Sequence, residues 1–134
     1  MIARKSEELC SAQDLTASAA AAGDTIVAGV INADRINIIV KLDATGGTTV
    51  NVRIKLLGSD NFGNQTCIKA TSVVLGATIT VADTTTSYYE LDLDSTHTIA
   101  FPYNLYKMWD KLDVQVWAGT VGDASDVTIT YKLG

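Results

Sequence analysis

The sequence has a single histidine, a single proline and two cysteines, and each shortage closes off a class of chemistry. With His97 alone, a two-histidine zinc site cannot be assembled, and a hydrolytic triad would have to be built on that one residue. It sits in Asp94-Ser95-Thr96-His97-Thr98 without a glycine-flanked nucleophile turn, so it reads as a surface loop residue. No glycine precedes a Lys-Ser or Lys-Thr pair, which leaves no loop to cradle phosphates. Two cysteines, Cys10 and Cys67, do not make a disulfide framework, and both are expected to stay reduced. No catalytic residue, metal ligand or cofactor site is expected.

Long apolar runs are missing too. Ile36 to Leu42 is interrupted by Asn37 and Lys41, far short of the roughly 20 residues of a membrane-spanning helix. Arg4 and Lys5 are followed at once by Glu7 and Glu8, and Ala17 to Ala22 is too short and weakly hydrophobic for a signal peptide core. Synthesis and folding in the cytoplasm, away from membranes, are therefore expected. Positive charge is in deficit, with 10 Lys and Arg against 15 Asp and Glu and a net charge of -5. No basic run is available to neutralise a phosphate backbone, so nucleic acid is not an expected partner.

What is present is β-forming. At 134 residues, 47% hydrophobic and 19% charged, the chain is apolar enough to fold as one domain. From Asp24 onward, short Val-, Ile- and Thr-rich segments alternate with Gly, Asn, Asp and Ser, the punctuation of an all-β domain. Val50 to Leu56 alternates with period two, and Ile36 to Asp43 before it is linked through Ala44-Thr45-Gly46-Gly47-Thr48, which predicts a hairpin. Further strands are expected at Ile68 to Leu75, Ala77 to Ala82, Tyr88 to Leu93, Leu112 to Ala118 and Val127 to Leu133, with a weaker one at Ile26 to Ile31. About eight strands of this kind favour an antiparallel two-sheet sandwich, jelly-roll-like, with a closed barrel as the alternative. The core is expected from Val50, Val52, Ile54 and Leu56; Tyr89, Leu91 and Leu93; Leu112, Val114 and Val116; and Val127, Ile129, Tyr131 and Leu133. Residues 1–23 differ in character. Glu7 to Leu9 suggests a helical turn and the rest is small and polar, so this stretch reads as an N-terminal arm on a β-sandwich domain spanning 24–134.

Two acidic segments read as turns rather than ion sites. Asp60-Asn61-Phe62-Gly63-Asn64 lacks the alternating acidic ligands and closing Glu of a calcium loop. Asp123 and Asp126 in Gly122-Asp123-Ala124-Ser125-Asp126 suit the capping of loop amides. The unexplained residues are apolar ones in places that should be wet. Ile39 opposes the phase of Ile38 and Val40, Trp117 shares a face with Asp113 and Gln115, and Tyr103, Tyr106, Met108 and Trp109 crowd one connection. Clustered aromatics of this kind suggest an interface, here with a second copy in a homo-oligomer, a dimer first.

Leu9-Cys10-Ser11-Ala12-Gln13-Asp14-Leu15-Thr16-Ala17-Ser18-Ala19-Ala20, the strand Val50 to Leu56 running on to Leu57-Gly58-Ser59-Asp60, and Phe101-Pro102 ahead of the strand Leu112 to Ala118 follow one another along the chain. In these stretches the sequence resembles the capsid cement or decoration proteins of tailed phages, of the kind found on a Bordetella phage head. Ala12-Gln13, Leu15-Thr16 and Ser59-Asp60 stand where that family has such pairs, whereas Val27-Ala28-Gly29 replaces a frequent Asp-Leu-Gly. The resemblance implies a jelly-roll-like sandwich without enzymatic activity, dimeric on the capsid exterior of the virion and bound to the major capsid protein. A carbohydrate-binding or adhesin sandwich, with Trp109, Trp117 and the tyrosines stacking on sugars, is the competing expectation.

Overall fold

The computed structural model describes residues 6–14, 24–44, 50–69, 79–81, 88–93, 97–118 and 125–134. Ten strands are formed: β1 (Glu7–Asp14), β2 (Thr25–Ile26), β3 (Arg35–Ala44), β4 (Val50–Ser59), β5 (Gln65–Ile68), β6 (Ile79–Val81), β7 (Tyr89–Leu93), β8 (His97–Asn104), β9 (Lys111–Ala118) and β10 (Ser125–Leu133). A single 3-10 turn, Val30–Asn32, is the only helical element among the described residues.

The strands make two antiparallel sheets, one in the order β1-β10-β3-β8 and the other in the order β2-β9-β4-β7-β6, with β5 also pairing β4. Setting aside β5 and β6, which lie between β4 and β7 in the chain, every step from one strand to the next crosses between the sheets except β4 to β7, which are neighbours in the same sheet. That interleaving of two four-stranded sheets is jelly-roll topology. The expected sandwich is thus the observed one.

The period-two pattern explains the layers. Ile36, Ile38, Val40 and Leu42 of β3 are buried against Val52, Ile54 and Leu56 of β4 and Leu112, Val114 and Val116 of β9. Between them, Lys41 and Lys111 are exposed and Asn37, Arg53 and Lys55 half-buried. One face of each strand is core and the other is not. Val127, Ile129 and Leu133 of β10 complete the core as expected, while Val50, Leu91 and Leu93 lie outside the residues whose side chains are described.

The strands at 36–43 and 50–56 exist, but they do not form a hairpin. β3 pairs β10 and β8, and β4 pairs β9, β7 and β5. A short glycine-containing link can close a hairpin or step across two sheets about 10 Å apart, and both strands need their apolar faces inside the same sandwich. The crossing satisfies this.

Three further differences have local causes. Glu7–Asp14 is an edge strand on β10, not a helical turn, with register shifts between Glu8 and Cys10 and between Cys10 and Gln13. The second strand of the β4 hairpin, β5, ends at Ile68, where the expected strand at 68–75 begins, and most of that segment lies outside the described residues; β6 falls within the expected strand at 77–82. No strand is among the expected ones at 97–104, yet β8 runs through it. As the outer strand beside β3, β8 tolerates a proline whose missing N–H would face solvent.

Candidate interaction surfaces

Strands β3, β4, β8, β9 and β10 bring three connections to one end of the sandwich: 27–34, 60–64 and 105–110, beside the last residue, Gly134. Hydrogen bonds tie the first to the third and to the chain terminus. The Asp34 carbonyl accepts from the Leu105 and Tyr106 amides at 2.7 and 3.1 Å, the Ala33 carbonyl accepts from Lys107 at 3.0 Å, and the Gly134 carbonyl accepts from Asp34 at 2.9 Å. Met108 donates to the Leu105 carbonyl at 3.0 Å, closing a turn in which Tyr106 and Lys107 have φ of 54° and 56°. Two consecutive non-glycine residues in the left-handed region are costly and persist only where surrounding contacts over-determine them.

The 60–64 connection is the turn expected from its sequence. Asp60 accepts from the Phe62 amide, the Asn64 amide and the Asn64 side chain at 2.9, 2.9 and 2.7 Å, and Gly63 takes φ 85°. The Asn64 side-chain bond, followed by its amide, holds the Asp60 carboxyl below its ordinary pKa.

All of the large exposed apolar side chains among the described residues sit on these connections. They are Val27, Ile31, Phe62, Tyr106 and Met108, with Phe62 at 85% exposure. The sequence pointed to Tyr106 and Met108. It missed Phe62, whose signal was an aromatic at the tip of a polar turn, and Val27 and Ile31, which were read as a weak strand.

The remaining interface expectations are placed differently. Tyr103 is not in a connection but inside β8, with 1% exposure in the core. Burial pushes its phenol far above the ordinary value, with Tyr89 and Cys67 as titratable neighbours, and its hydroxyl has no hydrogen-bond partner among the described residues. Trp109 packs against the core over Gly58, where an added Cβ would lie 2.5 Å from the ring. Trp117 does lie on the outer face of its sheet, but it is covered, with 8% exposure. Tyr88 meets it edge-on and Lys55 lies 5.8 Å above its ring, while Arg53, its partner across β4, stacks over Tyr88 at 4.9 Å. Ile39 is half-buried on the outer face of β3.

His97 opens β8 opposite Leu42, rather than lying in a loop. Cys10 is on β1 and Cys67 on β5, in different sheets and not joined by a disulfide. Asp123 lies outside the described residues. Asp126 is in β10, directly beside Asp14 of β1 and Asp43 of β3, so three aspartates stand in register across adjacent strands.

No family model matches the chain, and no curated protein sequence matches it. Among solved structures it is similar to the SPBc2 prophage-derived protein YomS, at 15% identity over 98% of this chain and 94% of that one, with a TM-score of 0.45. That likeness assigns neither family nor role.

Proposed function

We propose that this chain is a structural protein of a virus particle, decorating an icosahedral phage head and bracing its major capsid protein from outside. The observation that carries the reading is the gathering of Val27, Ile31, Phe62, Tyr106 and Met108 on braced connections at one end of a jelly roll. Exposed apolar groups gathered at one end of a domain suit protein contacts, and the strained Tyr106-Lys107 turn holds two of them in place. The order of motifs that resembles the phage cement proteins supports the same role, as does the use of jelly rolls in capsids. Self-association, a dimer first, belongs to this reading. The sugar-binding alternative loses support, because Trp117 is covered within the chain and Trp109 is partly buried against the core over Gly58.

The test is cosedimentation with purified heads of the phage that encodes the chain, together with the temperature at which those heads rupture. Saturable binding and a raised rupture temperature are expected, both lost in a Phe62→Ser/Met108→Ser variant that remains folded. Absence of binding by the parent chain, or tight binding on a glycan array, would overturn the proposal.

A further inference from the structure

A groove of about 270 Å³ opens at the same end of the molecule, on the outer side of the four-stranded sheet. Arg35 and Asn37 of β3, Pro102 and Asn104 of β8, Lys132 of β10 and Gly134 line it, with no acidic side chain in the wall. Lys132 stands directly opposite Asn37, and Arg35 is two residues before Asn37 on the same face. Arg35, Asn104 and Lys132 are exposed. The Gly134 carbonyl is engaged by the Asp34 and Arg35 amides at 2.9 and 3.3 Å. Tyr106 borders the groove, its hydroxyl 3.4 Å from the Asn104 side-chain nitrogen.

The charge of this groove runs against that of the chain. Net charge is -5, and the opposite end of the same sheet places Asp14, Asp126 and Asp43 side by side. The groove wall itself holds two cations, Arg35 and Lys132, and no acidic side chain, while Glu7 and Glu8 stand on the edge strand β1 beyond β10. A negatively charged segment is favoured in the groove by these two cations. An arginine fork suits carboxylates in particular. The two asparagine amides can both donate to and accept from a peptide backbone, and Pro102 and Tyr106 offer apolar contact beside them.

We infer that this groove binds an acidic peptide segment of a partner protein, with Arg35 and Lys132 pairing its carboxylates and Asn37 and Asn104 its backbone amides. The inference rests on reading the chain as a protein-binding module, but not on the partner being a phage head.

The experiment uses the full chain and a fluorescein-labelled peptide alternating Glu and Leu, followed by anisotropy and by amide chemical shifts. A peptide with Gln in place of Glu and a labelled oligothymidylate are run beside it. Expected are saturable binding, shifts centred on Arg35, Asn37, Asn104 and Lys132, and weakening of about tenfold or more in Lys132→Glu and in high salt. The Gln peptide should bind at least as weakly as that variant. Lys132→Gln serves if Lys132→Glu does not fold. Shifts that miss the groove, unchanged affinity in a folded Lys132 variant, or oligothymidylate binding the groove as tightly as the peptide would overturn the inference. Peptide binding by a chain that ignores purified heads would sink the head-decoration reading and leave the groove standing. Head binding with no peptide binding would do the reverse.

Discussion

The Trp117 ring meets Tyr88 edge-on, with ring centroids 5.3 Å apart and planes at 72°, on the outer face of the β9-β4-β7 sheet. Trp117 is buried without belonging to the core between the sheets, so its packing is a second, smaller stabilising cluster. Trp117→Ala should lower stability by about 2 to 4 kcal/mol, from lost area and lost ring contacts. Urea unfolding followed by circular dichroism measures it; a loss below about 0.5 kcal/mol would show the cluster to be dispensable.

Ile54 sits at 1% exposure between Val116 and Tyr89 in the middle of the sheet. Ile54→Ala should cost about 2 to 5 kcal/mol, since the rigid strands around it cannot collapse onto the cavity. The same denaturation series provides the comparison with Trp117→Ala.

Gly58 admits the Trp109 ring where a Cβ would stand 2.5 Å from it. Gly58→Ala should destabilise by about 1 to 3 kcal/mol through overpacking. In a Trp109→Leu background the added penalty should shrink, a coupling that a double-mutant cycle reads directly.

Lys107 has φ of 56°, and its ammonium lies 3.9 Å from the Asp34 carboxylate with both side chains largely exposed. Such a pair contributes little, whereas the left-handed backbone is costly for any residue but glycine. Lys107→Gly should therefore raise stability by about 0.5 to 1 kcal/mol, seen as a higher thermal midpoint.

Tyr131 donates to Glu7 across β10 and β1 at 2.7 Å, and burial first, then that bond, raises its pKa from 10.0 to about 12. A phenol whose folded pKa is raised favours the folded state fully below pH 10, and that contribution fades as pH climbs from 10 to about 12. Tyr131→Phe should flatten part of the alkaline decline of the urea midpoint. The buried Tyr103, also raised, supplies the rest and should persist in the variant.

Where one face is buried and the other is not, the sequence announced it, as in Val52, Ile54 and Leu56 against Arg53 and Lys55. Pairing was less legible. Nothing local distinguishes a link that closes a hairpin from one that crosses the sandwich, so β3 and β4 were identified as strands and wrongly joined. β8 was not among the expected strands, and its Pro102 is acceptable because the strand lies at an edge. β1 was hidden because Ser11 to Asp14 carries no apolar alternation. Trp117 was read onto the outer face, but Tyr88, just before β7, and Lys55 of β4 pack against its ring, a coincidence that only the register creates. Phe62, Val27 and Ile31 gather with Tyr106 and Met108 because the jelly roll brings three connections together that are far apart in sequence.

Pro102 on β8 and the irregular register of β1 occupy the two outer edges of one sheet. Neither edge presents an unbroken ladder of donors and acceptors to a further strand. Copies of the chain held at high local density, as on a particle surface, are thereby kept from fusing strand to strand into filaments. Growth by sheet extension is blocked on both sides, and contacts between neighbours are left to the faces and ends of the sandwich.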